Sequence, residues 1–474
     1  MYKRRFYQAL VLGLLVALCV IGCSNQHFFN NHKKENISFI FVTPQTSSRS
    51  TESDGSIWNI HAWIEKDDGT IIESKLLSAT SGSPVLVEFQ EIIIDTTIQI
   101  KVELQNEAIG KDKYVGSSPF IHLTNNITHV NIDLEYASYG SQANPITNWT
   151  DLKSTMERDS APSQIYIAGN MEALETILFA SDNPTEIIAA SSTTITRSSS
   201  FTSGPLFETA TSLTFTGTKD SQITILGNSI AADSPIILAE ADLTMTYCTI
   251  QNSVNTSVPS SSSPTYGGAI YMTGGTSSII GATLTLVNCS FDGNKTTNPG
   301  NPGGVIYLDQ YTNSVSIKNT IFKSNESGGN GGAIYFGNKN NDNILENCAF
   351  SGNSSSNGAA FYIDNQSHVV LNNVEIEEDI YLLNSGHISF ANQVLISALT
   401  WNRGGNDYKE VFTTGYDTHV FADTSSINLT ISGTIPTGTL QIFENNTVLT
   451  NEQIKCFTVT ANDKEYTYTS YGSV

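Results

Sequence analysis

The chain has 474 residues, with 23 basic against 45 acidic side chains, and its formal net charge is −22. Such an acidic surface repels phosphate groups, which argues against nucleic acid or anionic lipid headgroups as partners. The six cysteines include no CxxC pair and the histidines no pair at ligand spacing, so we expect no disulfide framework, no metal site and no cofactor.

The start of the chain has the pattern of a bacterial lipoprotein signal. Basic residues near the first methionine precede an apolar run over 9–21, which is too short to span a bilayer as a helix. The run ends at Gly22 and Cys23, and this ending resembles a lipobox. The resemblance implies cleavage after residues 1–22 and acylation of Cys23, with 23–35 as a tether. An ordinary signal peptide that contains a cysteine is the alternative.

Residues 36–140 are expected to form a β-sandwich. Apolar and polar side chains alternate in several short runs, such as 58–64 and 98–104. Asp68 and Gly69 give a hairpin-turn signal after the first of these runs. About seven strands in a region of this length are typical of an immunoglobulin-like sandwich. Two roles remain open for it, a binding module or a spacer that holds the rest of the chain off the membrane.

One helix is predicted, within a segment 141–162 that follows the boundary signal at Asn144 and Pro145. Trp149, Leu152 and Met156 recur at helical spacing, with Thr147 or Asn148 as the N-cap. Because a repeat of strands has an open end that invites aggregation, we expect this helix to cover that end.

Residues 163–400 are dominated by two alternating motifs. The first motif is a glycine pair followed by a short apolar run with a tyrosine, and its glycines are Gly267 and Gly268, Gly303 and Gly304, and Gly331 and Gly332, with a worn copy at Gly358. The second motif is Phe-x-x-Asn, found at Phe291 and Asn294, Phe322 and Asn325, and Phe350 and Asn353. Both motifs keep step at a period near 28 residues, which indicates a repeat solenoid.

The periodicity of the repeat favours strands over helices. Apolar residues around the motifs alternate with a period of two and are interrupted by Gly, Asn and Ser. The fold class predicted is therefore all-β, a right-handed parallel β-helix after the sandwich, with coils stacked about 4.8 Å apart. Phe291, Phe322, Phe350 and Ile376 should form one internal column. The motif asparagines should form another column at a corner, where they tolerate left-handed backbone and bond along the stack.

The two motifs resemble the repeat of the chlamydial-type polymorphic outer-membrane proteins, in which GGA[ILV] and FxxN sequences are paired. The resemblance covers about a quarter of the chain and implies a right-handed β-helix exposed at a bacterial surface. Together with the lipobox, it resembles the plan of a repeat-bearing surface lipoprotein, located in the outer membrane of the cell envelope. After the repeat, residues 401–474 are expected to form a β-rich cap.

The tyrosines of the first motif are candidates for a binding stripe. If the neighbouring apolar positions point inward, alternation places the tyrosines outward on one external face, at Tyr271, Tyr307, Tyr335 and Tyr362. Such a row suits a protein or glycan partner, although it could equally serve only to stabilise the sheet.

An enzyme of the pectate lyase type is the alternative function, because parallel β-helices also carry polysaccharide-degrading sites. The best acidic group is Glu375, Glu377, Glu378 and Asp379, and alternation puts the first two on one face. No basic residue stands in register with them in the adjacent coils, so we expect no catalytic residues. The sequence therefore favours a non-enzymatic adhesin or host-interaction protein, anchored to the membrane through its N-terminal lipid.

Replacing Cys23 with Ala should release the protein from membranes, because acyl chains on that residue would provide the anchor. Fractionation of cells into detergent and aqueous phases checks this, with Cys348→Ala as the matched loss of a thiol. A Cys23→Ala protein that stays in the detergent phase would show that another anchor exists.

Overall fold

The computed structural model describes residues 34–43, 57–93, 96–106, 110–123, 130, 132–258, 266–273, 281–338, 342–364, 366–383, 386–403, 406–411, 417–422, 427–432, 442–444, 447–448, 456–461 and 464–469. The predicted signal peptide and Cys23 lie outside the described residues. The chain divides into two compact units, Met1–Ser138 and Tyr139–Val474, called here the N-terminal and C-terminal units.

The N-terminal unit is antiparallel throughout its described part. Its strands are β1 (Lys34–Val42), β2 (Ile57–Lys66), β3 (Ile71–Thr80), β4 (Pro84–Ile93), β5 (Thr97–Gln105), β6 (Lys113–Ser117), β7 (Ile121–His122) and β8 (Glu135–Ala137). Strands β1 and β4 pair as one sheet, and a second sheet has the order β3-β2-β5-β6-β8 with β7 beside β5. Side chains of both sheets belong to one buried cluster, in which Phe39 and Phe89 of the first sheet accompany Trp58 and Ile100 of the second. The alternation in the runs 58–64 and 98–104 therefore marks the buried faces of β2 and β5.

The first hairpin confirms the turn predicted at Asp68 and Gly69, but one of its two strands was not predicted. Gly69 has φ of +83°, and its N–H donates to the Lys66 carbonyl, as a tight turn after β2 requires. Strand β3, which this turn begins, was not predicted. The apolar residues of β3 are not confined to a buried face, since Leu76 is 81% exposed.

Helix α1 (Trp149–Met156) is the one helix among the described residues, and its cap is as predicted. The Asn148 side chain accepts the Asp151 N–H at 3.0 Å. Trp149 lies edge-on to Phe207, with ring centroids 5.3 Å apart, and its indole N–H donates to the Glu175 carbonyl. The apolar face of α1 thus packs on the first strands of the C-terminal unit.

The C-terminal unit consists of strands connected by turns after α1. Its strands are β9 (Gln164–Ala173), β10 (Ile177–Phe179), β11 (Thr185–Arg197), β12 (Phe207–Thr209), β13 (Leu213–Thr216), β14 (Ile223–Leu226), β15 (Ala231–Ala232), β16 (Ile237–Ala239), β17 (Leu243–Thr246), β18 (Cys248–Gln251), β19 (Val254–Asn255), β20 (Ile270–Met272), β21 (Ala282–Val287), β22 (Ser290–Asp292), β23 (Lys295–Thr296), β24 (Ile306–Leu308), β25 (Thr312–Lys318), β26 (Ile321–Lys323), β27 (Ile334–Phe336), β28 (Asp342–Glu346), β29 (Ala349–Ser351), β30 (Phe361–Ile363), β31 (His368–Leu383) and β32 (His387–Arg403), followed by β33 (Asn406–Val411), β34 (Asp417–Ala422), β35 (Ile427–Ser432), β36 (Ile442–Glu444), β37 (Thr447–Val448), β38 (Cys456–Ala461) and β39 (Lys464–Thr469).

Three parallel ladders contain all of strands β9–β32 except β15, β19 and β23, and we call one passage of the chain through all three a coil. Ladder A runs β10-β12-β16-β20-β24-β27-β30 and then through β31 and β32. Ladder B runs β9-β11-β13-β17-β21-β25-β28 into the same two long strands. Ladder C runs β9-β11-β14-β18-β22-β26-β29 into them as well. Each ladder strand before β32 therefore pairs with its equivalent one coil later, and the short strands β15, β19 and β23 pair in parallel as a separate sheet.

The register places repeat positions directly on one another, as predicted. Phe291 pairs with Phe322, Phe322 with Phe350, and Phe350 with Ile376. The three phenylalanine rings stack at 5.2 and 4.7 Å with interplanar angles of 9° and 8°. The inward positions of ladder A are also fully buried, namely Ile270, Met272, Ile306, Leu308, Ile334, Phe336, Phe361 and Ile363. The period read from the sequence therefore assigned these side chains to the correct face.

The two glycines of the first motif are required for different reasons. Gly303 has φ of +74°, a conformation that costs free energy for any residue with a Cβ. A Cβ on Gly304 would lie 2.0 Å from the carbonyl oxygen of Gly332 in the next coil. The worn copy keeps the first requirement alone, since Gly358 has φ of +66° while the second position is Ala359.

The parallel arrangement ends at β32. This strand pairs in parallel with β31 but antiparallel with β33 and β34. The following strands add antiparallel pairs, such as β34 with β35 and β38 with β39, together with a parallel pair of β35 and β38. The region predicted to be β-rich after residue 400 thus contains strands of mixed direction.

Replacing Gly304 with Ala should destabilise the C-terminal unit by about 1–3 kcal/mol or more, because the new methyl group would overlap a backbone oxygen that cannot rotate away. Thermal unfolding measures this as a lower Tm. Gly300→Ala is the matched control, since a Cβ there meets nothing closer than 3.5 Å. Equal Tm values for the two variants would contradict the close coil contact.

Candidate binding face

The outward positions of ladder A form one column on the sheet. The three-residue strands leave a single side chain per coil pointing away from the core. The column consists of Leu178, Glu208, Leu238, Tyr271, Tyr307, Tyr335, Tyr362 and Tyr381. We call its five tyrosines the tyrosine column. The first four were predicted as a stripe, and the register brings them together.

Most of the tyrosine rings stack face to face. From Tyr307 to Tyr381, successive centroids are 5.0, 5.1 and 5.0 Å apart, with interplanar angles of 15°, 6° and 6°. Tyr271 turns edge-on to Tyr307, at 5.4 Å and 70°. Tyr266, which lies outside the strands, packs against both of these rings. Since neighbouring rings cover one another's faces, a ligand could reach only their edges and hydroxyl groups.

The prediction that these tyrosines form an exposed row is wrong, although their side of the strand is correct. Tyr271 is 1% and Tyr362 5% exposed, whereas Tyr307 and Tyr335 are half-buried. The physical reason is the register itself, because rings in direct register at the spacing of strands must stack. The fifth ring, Tyr381, was missed because its strand keeps the Ile-Tyr-Leu pattern without the glycines.

Two carboxylates that were not predicted flank the tyrosine column. The Tyr335 hydroxyl donates to Asp364 Oδ2 at 2.8 Å. Burial raises the pKa of the Tyr271 phenol, and the Asp309 carboxylate raises it further. Burial raises the pKa of Asp309 and is also the main reason that the pKa of Tyr335 is raised. Each aspartate directly follows a ladder A strand, so the sequence signal was a polar residue after the Ile-Tyr-x pattern.

The asparagines of the second motif form a hydrogen-bonded column, as predicted. Asn325 Oδ1 accepts the backbone N–H and Nδ2 of Asn294, at 3.0 and 3.2 Å. Asn353 Oδ1 accepts the same pair from Asn325, at 3.1 and 2.9 Å. Glu378 ends the column, because its Oε1 accepts the N–H of Asn353 at 2.6 Å and its Nδ2 at 3.3 Å. We call this the inner asparagine column.

The prediction that these asparagines adopt left-handed backbone is wrong. The positive φ values belong to the residues directly before them, which are Gly293 at +65°, Ser324 at +53° and Gly352 at +67°. The asparagine side chain is therefore needed for its hydrogen bonds to the next coil, while the preceding residue makes the turn.

A second asparagine column, missed by the sequence analysis, does occupy left-handed backbone. Its members are Asn288, Asn319, Asn347 and Asn373, with φ of +54°, +50°, +53° and +53°. The Nδ2 of each of the last three donates to the Oδ1 of the preceding member, at 3.1, 3.0 and 2.7 Å. The signal was present, since an asparagine stands directly before Cys289, Thr320 and Cys348.

The cysteines of the repeat are small buried residues, as predicted. Cys248, Cys289 and Cys348 are free and buried. The Cys289 thiol lies 3.4 Å from each of two backbone carbonyl oxygens, and the Thr320 hydroxyl donates to one carbonyl at 2.9 Å. A small donor is therefore what this column position requires.

The acidic segment considered as a catalytic group is split between two roles. Glu375 and Glu377 are exposed on one face, as the alternation predicted. Glu378 instead bonds to Asn353, and Asp379 Oδ1 accepts the backbone N–H of Ala359 at 3.2 Å. Within the ranges that the structure describes, no group of three or more His, Cys, Asp or Glu side chains is placed to hold a metal ion.

Comparisons with protein-family models, with curated proteins and with solved structures found no match to this chain. Over its described residues, the chain contains no helix of the length and apolarity needed to cross a membrane.

Replacing Glu378 with Gln should raise the Tm at neutral pH, by roughly 1–3 °C. Burial raises the pKa of Glu378, and its buried Oε2 has no hydrogen-bond partner among the residues that the structure describes. Because the pKa of Glu378 is raised in the folded state, its protonated carboxyl group stabilises the fold. This stabilisation is fully present below the ordinary pKa of glutamate and is lost as the pH rises through the folded-state pKa. A glutamine keeps an acceptor for Asn353 and carries no charge. The difference in Tm between the variant and the parent should therefore shrink as the pH falls toward about 4, because Glu378 of the parent becomes neutral as well.

Glu377→Gln is the matched control for this prediction, because it removes the same charge from an exposed neighbour. Its Tm should stay within about 1 °C of the parent at both pH values. A Glu378→Gln protein that is less stable than the parent at neutral pH would show that the carboxylate charge is needed in the column.

Proposed function

We propose that this chain is a lipid-anchored, non-enzymatic protein of the bacterial outer membrane whose C-terminal unit binds a protein or glycan of a host or another cell. The lipobox at Cys23 supports the anchor. The GGA[ILV] and FxxN motifs, which resemble those of polymorphic outer-membrane proteins, support exposure at the cell surface.

The ladders support a right-handed parallel β-helix as the fold of residues 163–400. Strands that pair in parallel with their equivalent one coil later are the arrangement of such a solenoid. Parallel crossover connections are right-handed in about 98% of cases, which favours this hand. For residues 36–140, two antiparallel sheets around one cluster are consistent with an immunoglobulin-like sandwich, and we assign that unit the role of a spacer.

The observation that carries the proposed function is the tyrosine column. Its stacked rings are already immobilised, so a partner would meet rigid phenol edges without the entropic cost of ordering them. Tyr307 and Tyr335 are half-buried and so retain accessible atoms, whereas Tyr271 and Tyr362 do not serve as contacts. The proposed contact surface is therefore narrower than the stripe predicted from the sequence.

The contacts of the acidic residues Glu375, Glu377, Glu378 and Asp379 favour binding over polysaccharide cleavage. Cleavage would require two convergent carboxylates or a carboxylate with a basic partner. Glu378 and Asp379 bond to the preceding coil, and the outward positions of the coil before Glu375 and Glu377 are Ala349 and Ser351. Because Ala349 and Ser351 are neutral, the two exposed glutamates have no basic partner in register in that coil.

Replacing Tyr307 and Tyr335 together with Phe should reduce binding to host cells or matrix at least about tenfold, because the phenol hydroxyls would be lost while the stack remains. Surface plasmon resonance or cell binding gives the affinity, and Tm reports the fold. Tyr247→Phe, at a turn away from the column, is the matched control and should bind as the parent does.

The same two positions changed to Ser separate a binding role from a structural one. Loss of the stacked rings should lower the Tm, since each aromatic pair contributes about 0.5–1.5 kcal/mol. If the Phe variant binds as well as the parent while the Ser variant only loses stability, the tyrosine column is structural and the proposed binding face is wrong.

A further inference from the structure

Two histidines stand side by side at the end of ladder B. His368 of β31 pairs directly with His387 of β32. The pair is not evident from the sequence, because its members are 19 positions apart in the chain, whereas the two motifs repeat at a step near 28. The last coil is shorter because only three residues separate the long strands β31 and β32. The expectation of no metal site therefore rested on spacing along the chain alone.

Both histidines occupy the outer face of ladder B. Val369 and Ile388, which follow them, are fully buried, so alternation places positions 368 and 387 on the face away from the core. His368 is half-buried. An ion from solvent can therefore reach this part of the ladder.

The backbone directly before each histidine is held by a hydrogen bond. The buried Ser367 donates its hydroxyl to the Phe336 carbonyl at 3.0 Å, next to His368. Before the second histidine, the Gly386 N–H donates to the Leu383 carbonyl at 2.8 Å. Fixed backbone positions lower the entropic cost of bringing two side chains together on one ligand.

The spacing of the pair suits a single zinc ion. Paired positions in neighbouring strands are about 4.8 Å apart. Zinc binds imidazole nitrogen at about 2.0–2.1 Å, so two nitrogens of a tetrahedral site are about 3.3 Å apart. The two rings thus need to converge by only roughly 1.5 Å, which rotation about the side-chain bonds permits.

A carboxylate residue stands on the other side of His368. Asp342 pairs with His368 from the preceding coil, so the row reads Asp342, His368 and His387 in successive coils. A histidine that binds a metal through one ring nitrogen commonly donates the N–H of the other to a carboxylate. Each histidine needs only one ring nitrogen for the ion, so a hydrogen bond at its other nitrogen is compatible with binding.

We propose that His368 and His387 bind a zinc ion, with Asp342 as a positioning residue for His368. Two imidazoles leave two positions of a tetrahedral ion for water or for a donor group of a partner. Imidazole suits zinc, whereas magnesium and calcium prefer oxygen ligands. This inference goes beyond the proposed function, since the site lies on ladder B and does not involve the tyrosine column.

Titration of the full chain with ZnCl2, followed by calorimetry, tests the site. One saturable site is expected, and His368→Gln or His387→Gln should weaken it at least about tenfold. His122→Gln removes an exposed imidazole from the N-terminal unit and is the matched control, with an affinity within about twofold of the parent. Excess MgCl2 should not displace the zinc, because magnesium would compete only at carboxylate sites of this acidic chain.

The positioning role of Asp342 has its own variants. Asp342→Asn should weaken zinc binding about 10–100-fold, and Asp342→Glu should restore part of the loss because it returns the carboxylate. An unchanged affinity in Asp342→Asn, or a glutamate that restores nothing, would overturn this role.

The unmodified chain decides the question even if a variant fails to fold. Diethyl pyrocarbonate modifies accessible histidines, and peptide mass spectrometry locates each modification. Zinc should protect His368 and His387 and leave His122 reactive. Protection of neither residue, or of other histidines only, would overturn the site. Zinc binding that magnesium displaces, or that survives both glutamine variants, would assign it to surface carboxylates and overturn the site as well.

Discussion

Direct register between successive coils is the constraint on which the C-terminal unit depends. Parallel pairing repeats every position at the strand spacing, so each side chain must be compatible with its own equivalent above and below. Phenylalanines satisfy this inside by stacking, and asparagines satisfy it at two corners by hydrogen bonding along the column. The same constraint makes Gly304 necessary, since the next coil's backbone comes too close for a Cβ.

The columns also show how a repeat can end. In the inner asparagine column, Ser253 donates its N–H to Asn294 at one end and Glu378 accepts from Asn353 at the other. A glutamate can take the acceptor role of the next asparagine, but its second oxygen then has no donor within the described part of the chain. The worn copy at Gly358 shows the same effect, since it needs the left-handed turn but not the second glycine. Sequence decay at the end of the repeat therefore follows the loss of specific contacts.

The tyrosine column joins a structural role to the proposed binding role. Stacking accounts for why tyrosines recur at one position, and it explains their burial without any ligand. The row of residues beside the column holds two aspartates, of which Asp364 accepts from the Tyr335 hydroxyl, and it is interrupted at Gly337, where a Cβ would lie 2.5 Å from the Leu308 carbonyl oxygen. The break in that row is what distinguishes the environment of Tyr307 from those of Tyr271 and Tyr335.

Periodic features were predictable from the sequence, and features that depend on neighbouring coils were not. The period of two and the step near 28 residues determined the all-β class, the inward residues such as Ile306 and Leu308, and the Phe column. The cap at Asn148 was predictable because its hydrogen bond is local. The burial of Tyr271 and Tyr362 depends on which ring stacks over which. The placement of left-handed backbone before Asn325, and the pairing of Tyr335 with Asp364, depend on contacts across coils. Only the tertiary structure decided these, because a linear sequence shows which residues recur but not how closely their equivalents approach.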